Sequence, residues 1–330
     1  MELSIIIPLH NGINFIKPCI ESILNQTLPQ FEIIILENAS TDNAIDWLNS
    51  LKDPRIKILP SSGFLSIGEN WDRIKSVPRK EWMIIVGHDD IMKPNFIQVI
   101  ENLIEKHPNA SLYQTHFDYI NDLGKVTSPC APMDELQNVG DYFKGTLSNG
   151  GGFVMRSSDY DAVGGIPIYP GFFFSDFALW MKLTSISYKA TAKENCFSYR
   201  YHNQNTSSIS SMTKFNEGLK AFLDYLYELK QDNKEFSTVL NNHGKDLIML
   251  FARSLSNRLL RERLSKRNGL TVKKLVYDLQ VYLDKLNDNN RQKISADNRI
   301  RLAAFIDSNA VTRSLFLLFK KIYPRPVSGV

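Results

Sequence analysis

The sequence predicts an α/β protein: a mainly parallel mixed sheet with flanking helices, followed by a helical C-terminal region. Over residues 1–100, apolar strand-like runs alternate with amphipathic segments, which is the order of βαβ units. Three of those runs, Ser4–Pro8, Glu32–Leu36 and Trp82–Val86, are almost wholly apolar, as strands are when helices cover both faces of a sheet. From Lys214 onward the period becomes that of helices.

Taken in order, LSIIIPL, FEIIILEN, RIKIL and EWMIIVGHDD read as strands, and FIKPCIESILNQT, TDNAIDWLNSL and IGENWDRIKSV as the helices between them. Residues 110–213 continue the sheet with antiparallel additions, through the short strands SLYQTHFDYI, GGFVMR, SYKATAK and CFSYRYH. Glycine-rich turns at Asn149–Gly152 and Gly164–Gly165 break this stretch. Beyond it, Leu247, Phe251, Leu255 and Leu259 recur every fourth residue, and Val272, Leu275, Val276, Leu279, Leu283 and Leu286 form a second stripe. Three to five helices are expected there, giving a division into 1–213 and 214–330.

A chain of 330 residues with 43% hydrophobic and 22% charged residues can bury a sizeable core. The start MELSIIIPLH, with Glu2 and Pro8, does not read as a signal peptide. No run approaches the roughly 18 apolar residues of a membrane span, the nearest being around Leu315–Phe319. Cys19, Cys130 and Cys196 are scattered without CxxC spacing, which disfavours a disulfide framework or zinc knuckle and suits a reducing cytoplasm. The net charge of +4 conceals a partition. Residues 1–213 hold 17 basic and 23 acidic side chains, and 214–330 hold 22 and 12, so the two parts are expected to meet different surfaces. The basic segments RSLSNRLLRERLSKRNGLTVKKL and VTRSLFLLFKKIYPRPV suit either the inner face of an anionic bilayer, contacted peripherally, or a solvated bundle face. No nucleic-acid module accompanies them, and nucleic acid is not an expected partner.

In open sheets of this kind ligands bind beyond the carboxyl ends of the parallel strands. Those ends carry His10 and Asn11, then Glu37 and Asn38, then His88, Asp89 and Asp90. Two adjacent carboxylates suit a hard divalent ion such as Mg²⁺ or Mn²⁺. The pair by itself better suits a solvated turn with Lys93 as counter-ion and Pro94 in the first turn of the next helix; its place at the third strand end is what favours the metal. His10 could stack on a base and Glu37 accept a hydrogen bond from a base or ribose. There is no GxGxxG after the first strand and no GxxxxGK[ST], which counts against dinucleotide-binding and P-loop enzymes.

The run SIIIPLHNGINFIKPCIESILNQTLPQFEIIILENASTDNAIDWL, with SIGENWDRIKSVPRKEWMIIVGHDDIMKPNFI, resembles the nucleotide-sugar-binding half of family 2 glycosyltransferases of GT-A fold. GGFVMRSSDYDAVGGIPIYPGFFFSDFALWMKL is similar to the family's acceptor segment, and FSYRYHNQNTSS to its later strand; the likeness ends near residue 210. The resemblance implies an inverting transfer from a nucleotide-sugar donor, UDP-linked, to a saccharide or lipid-linked saccharide acceptor. Bacterial surface polysaccharide assembly, such as O-antigen or capsule, is the implied setting. By position it implies Asp176 as catalytic base. Pro8, His10, Asn11, Glu37, Asn70, His88, Asp89 and Arg200 would line the donor, while Asp89, Asp90 and His202 would hold a divalent metal, Mn²⁺ or Mg²⁺.

Two positions depart from the family pattern. Its metal motif reads Asp-x-Asp-Asp, whereas here the first position is Gly87; the second-strand acid is Glu37 rather than Asp. The missing acid keeps a second reading open, a GT-A-like nucleotide-binding or scaffold protein without catalysis. A nucleotidyltransferase is disfavoured by the lack of a glycine- and lysine-rich loop after the first strand. The sequence leaves the donor sugar, acceptor and oligomeric state unassigned.

Overall fold

The computed structural model describes residues 1–144, 150–201, 211–288 and 291–322. The chain forms two compact units. One comprises Met1–Val139, Ser148–Ile168 and Ser175–Asn205, the other Gly140–Leu147, Tyr169–Phe174 and Thr206–Val330. The second unit thus begins slightly earlier than residue 214 and takes in two short excursions of the preceding chain.

The first unit is built on a ten-stranded mixed sheet. Its parallel half is β1 (Leu3–Leu9), β2 (Phe31–Glu37), β3 (Ile56–Pro60) and β4 (Trp82–Ile85), in the order β3-β2-β1-β4. Every residue of β1, β2 and β4 is buried, as their apolar runs require. The helices α1 (Ile13–Leu24), α2 (Ala44–Ser50) and α3 (Ile67–Asp72) make the connections. Helix α1 buries Ile16, Cys19, Ile20 and Ile23, one face of a 3.6-residue period. The antiparallel additions are also present. Strand β5 (Ile91–Met92) and helix α4 (Phe96–Lys106) follow β4, then β6 (Leu112–Ile120), β7 (Val126–Pro129), β8 (Leu136–Gln137) and β9 (Val154–Arg156). Strand β9 runs antiparallel to both β4 and β6, bridging the two halves of the sheet. Helices α5 (Ser157–Ala162) and α6 (Ser175–Ile186) precede β10 (Lys189–Arg200), which lies parallel to β6.

Strand β10 differs from expectation. SYKATAK and CFSYRYH read as two strands, because the polar Lys193, Glu194 and Asn195 interrupt the apolar run. They form one twelve-residue strand with irregular register from Ala192 to Phe197, and the exposed Lys193 and Glu194 sit in that bulge.

Among the described residues the second unit holds five helices, α7 (Met212–Asp232), α8 (Lys234–Arg261), α9 (Val272–Leu286), α10 (Asn298–Ser308) and α11 (Ala310–Ile322). All six residues of the stripe on α9 are buried, as are Leu247, Leu255 and Leu259 on α8, while Phe251 is half-buried. Phe174, from one excursion, stacks on Phe222 at 5.7 Å and meets Phe251 edge-on. Arg267 and Asp307 form a buried ion pair at 2.5 Å, and Asp307 Oδ2 also accepts from Val272 N at 2.8 Å, capping α9. Removing one partner of such a pair strands the other charge in the interior. Asp307→Ala is therefore expected to lower the stability of the helical unit by about 3–5 kcal/mol. Urea unfolding followed by far-ultraviolet dichroism measures this, and a loss below about 1 kcal/mol contradicts the pairing.

Candidate active site

The ends of β1, β2 and β4 converge as the sequence implied, but their polar groups divide into two kinds. One kind builds the site. Past Leu9 the chain turns through Asn11 (φ 58°) and Gly12 (φ 105°), conformations that asparagine and glycine tolerate best. Asn11 Oδ1 accepts from Thr41 N at 2.8 Å, and His10 Nδ1 pairs with Asn38 O at 2.7 Å, fastening the β1 end to the β2 end. Asn38 in turn pairs with the Leu65 backbone, its Oδ1 accepting at 2.8 Å and its Nδ2 donating at 2.9 Å. Glu37 Oε1 accepts from Ser40 N at 2.5 Å, so one carboxylate oxygen shapes its own turn. Asn70 is buried and serves the protein: its Nδ2 donates to Leu36 O at 3.2 Å and its Oδ1 accepts from Arg73 Nη1 at 2.8 Å. Pro8 sits buried in β1, two residues beyond the last β1–β4 pair at Ile6 and Ile85.

The other kind faces a cavity of about 330 Å³, lined by the first turn of α1 together with Asp42 and His88, and by His10 and Asn11, which serve in both ways. Asp42, just before α2 and given no role from sequence, caps that first turn of α1. Its Oδ2 accepts from Gly12 N at 2.6 Å and Ile13 N at 2.9 Å. Burial raises its carboxyl, but the N–H groups of Ile13, Ala44 and Gly12 outweigh that and hold it below the usual range. The His88 imidazole lies on Gly12, where a Cβ would stand 2.6 Å from its Cδ2 and displace the ring, in addition to the backbone strain at φ 105°.

The turn after β4 closes with Asp90 N donating to Gly87 O at 3.1 Å. The carboxyls of Asp89 and Asp90 fold back over Gly87, and a Cβ on that residue would lie 2.6 Å from Asp89 Oδ1 and 3.0 Å from Asp90 Oδ2. The space for the family's first acid is thus filled by the other two. Asp90 is buried to 4% exposure. Its Oδ1 accepts from Arg200 N at 2.9 Å, while Oδ2 points toward the glycines, 3.3 Å from where a Gly151 Cβ would be. Burial first and the charge of Asp89 second push the Asp90 carboxyl well above its ordinary range, against the Arg200 bond.

Lys93 is not the counter-ion of this pair. It bonds Asp118 Oδ2 and Asn195 Oδ1, each at 2.8 Å, because β5 carries it toward β10 and β6. Pro94 lies outside helix α4, before its cap residue Asn95. Arg200 braces the turn: its Nε donates to Asp89 O at 2.7 Å, its Nη1 donates to Asn121 O at 2.7 Å, and the guanidinium lies over Phe15.

Asp176 occupies the first turn of α6, a helix buried on nearly every side, and is itself exposed. Its Oδ1 accepts from Phe177 N at 2.7 Å. Despite that opening to solvent, the surrounding protein desolvates the carboxyl enough to raise it, overcoming the bonds from Phe177 N–H and its own N–H. Tyr199 connects the acids. Burial, then the charges of Asp90, Asp176 and Asp89 in that order, raise its phenol, so all three carboxyls act on one side chain. No sequence pattern marked Tyr199; only the fold brings β10 within electrostatic reach of both the turn after β4 and α6. His202 lies outside the described residues. Among the described residues no three His, Cys, Asp or Glu side chains form a metal-binding cluster, and Asp89 with Asp90 is the acidic pair at the strand ends.

Residues 4–164 match the family described as Glycosyl transferase family 2. An uncharacterized glycosyltransferase of Haemophilus influenzae is 25% identical over 301 residues, covering 86% of this chain and 87% of that protein. The glycosyltransferase GlyG of Streptococcus pneumoniae is 26% identical over 119 residues, which cover 36% of this chain and 40% of GlyG. The crystal structure of S. aureus TarS 1–349 in complex with UDP-GlcNAc superposes with a TM-score of 0.70 at 14% identity, over 98% of this chain and 93% of that one. At that identity the likeness is one of fold, and it extends through the helical region. The mixed sheet, the strand-end site and the matched residues agree: over residues 4–164 the chain is similar to glycosyl transferase family 2, and its fold is GT-A-like.

Proposed function

We propose that the protein transfers a sugar, with inversion, from a UDP-linked nucleotide-sugar donor to a saccharide or lipid-linked saccharide acceptor in bacterial surface-polysaccharide assembly. The observation that carries the reading is Asp90, a buried carboxyl with one oxygen held by Arg200 N and a second carboxyl beside it, at the edge where GT-A-like sheets bind ligands. The donor assignment draws support from TarS, which was crystallised with UDP-GlcNAc.

Two hard carboxylates, one of them desolvated, fit a divalent cation in donor type and charge. Asp89 and Asp90 would hold Mn²⁺ or Mg²⁺, whose charge would stabilise the departing diphosphate. Arg200, the Gly87 gap and Gly151 keep both carboxyls in place, so little reorganisation is needed on binding. His10, Asn11, Asp42 and His88 line the cavity offered to the nucleotide, and Asn70 acts indirectly through Arg73 and the β2 end. Asp176 accepts the proton of the acceptor hydroxyl as its oxygen bonds to the anomeric carbon and the bond to the phosphate oxygen breaks. Its raised carboxyl is a better base than an ordinary aspartate. The cytoplasm is the proposed compartment, where sugar nucleotides are made.

Turnover of a nucleotide-sugar panel by Asp89→Ala and Asp176→Asn tests this. Losses of about 10²-fold or more are expected in both, and near-normal rates in both sink the site assignment. Calorimetry with UDP should show tighter binding when Mn²⁺ is present.

Asp90 also makes a stability prediction. Its folded carboxyl lies above the unfolded value, so the cost of ionising it in the fold is absent below the unfolded value, grows as pH rises between the two and is full above the folded value. Asp90→Asn should therefore raise the melting temperature of the metal-free protein at neutral pH, with a gain that shrinks as pH falls toward 4. A variant less stable than the parent at neutral pH would contradict this account.

A further inference from the structure

Helix α11 is inverted in polarity. Its one buried residue is an arginine, Arg313, whose Nη2 donates to Glu262 O. Val311, Leu315, Leu318 and Ile322 are each more than half exposed. Their spacing of four, three and four residues places them in one stripe along the helix. Helix α10 adds Leu302 and Phe305, one turn apart and likewise more than half exposed. Scattered apolar residues on a surface need no explanation, but six of them on two consecutive helices do.

Charge on the same helices is one-signed. The acidic residues of 297–322 are Asp297 and Asp307, and both are engaged within the unit: Asp297 with Arg253 and the α10 N-terminus, Asp307 with Arg267 and Val272 N. Arg299, Arg301 and Lys321 are exposed. By helical geometry Arg299 and Arg301 fall on either side of the Leu302–Phe305 pair. An apolar stripe with cations beside it and no acid facing outward is the pattern of a helix lying in the headgroup layer of an anionic membrane.

We infer that α10 and α11 form a peripheral docking surface for an anionic lipid bilayer, with Leu302, Phe305, Val311, Leu315, Leu318 and Ile322 entering the interface and Arg299, Arg301 and Lys321 meeting lipid phosphates. The helices lie on the membrane and do not cross it. No single helix is long and apolar enough to span; the two together reach that length and composition, but the 114° bend between them breaks the axis, and their cations and the inward Arg313 suit an interface better than a hydrocarbon core. A second copy of the chain fits this face less well, since a two-fold contact would bring its cations together without an acid to offset them. The other basic segment, residues 253–275, is different in kind: Leu255, Leu259, Leu260, Leu270, Val272 and Leu275 are buried in the bundle, and Leu264 stands exposed by itself with no stripe around it. The inference is independent of the donor and acceptor assignments.

The test is co-sedimentation of the full chain with vesicles of phosphatidylcholine alone and with about 30 mol% phosphatidylglycerol. Retention on the anionic vesicles that weakens on raising salt from about 0.1 to 0.5 M is expected, with little retention on neutral ones. Leu315→Asp/Leu318→Asp should reduce anionic binding by at least about tenfold, and Arg299→Ala/Arg301→Ala should reduce it at low salt only. All four positions are exposed, so unfolding curves of both variants should match the parent. Absence of vesicle binding, or binding unchanged in the leucine variant, overturns the proposal. So does a dimer, seen by light scattering, that the leucine variant dissolves while vesicles retain nothing.

Discussion

The end of β10 is tied to the turn after β4 by bonds in opposite senses: Arg200 N donates to the Asp90 carboxyl and Arg200 Nε donates to the Asp89 carbonyl. Because β10 also pairs with β6 and β5, this clasp fixes the two acids to the rigid sheet rather than to a free loop. The remaining features follow from accommodating it. Gly87 leaves room for both carboxyls, Gly151 lets the β9 approach come close to Asp90, and the Cys19 thiol beneath donates weakly to Gly87 O at 3.6 Å.

Such a turn is electrostatically unfavourable by itself. Two carboxylates side by side, one out of water, raise each other's cost of ionisation. The nearest available lysine, Lys93, is directed to Asp118 and Asn195. The Asp90 carboxyl therefore stays raised at the β4 end, with Arg200 only partly offsetting burial and the charge of Asp89. By contrast Asp42, with comparable chemistry, is relieved by backbone N–H groups and its charge is structural. Two acids in neighbouring turns differ because backbone donors outweigh burial at Asp42, whereas at Asp90 burial and a second acid outweigh the donors. Arg73 shows the same division among cations: it is committed to carbonyls of Glu37, Leu59 and Pro60, where it joins the ends of β2 and β3.

The sheet was legible because burial on both faces leaves a plain mark, continuous runs of Ile, Leu and Val. The strand ends were legible because polar residues stop those runs at a common edge. What pattern could not reveal was the destination of each polar side chain. Asn70 and Glu37 were assigned to a ligand, yet the carboxamide of Asn70 and one oxygen of Glu37 meet protein partners. Those partners lie on other elements or in a tight turn, and hydrogen bonds of that kind have no period. Arg200 was legible as a residue at the site but not as the clasp, which depends on long-range strand pairing. Tyr199 and Asp42 were missed for the same reason, and the bulge in β10 because a polar interruption of an apolar run looks like a turn in one dimension.

The two units share one physical signature. In a folded protein apolar side chains go inside and charges outside, and departures from that rule mark places where something besides stability has shaped the sequence. At the β4 end the departure is a carboxyl drawn inside beside another. On α11 it is the reverse, an arginine inside and a stripe of Val, Leu and Ile outside. Each departs from the rule in a chemically definite way, the first by drawing a carboxyl out of water beside a second carboxyl, the second by turning an apolar stripe toward solvent. The transfer proposed above, from a water-soluble donor to a lipid-linked acceptor, would draw on both places, since such substrates meet a protein from an aqueous phase and from a membrane surface.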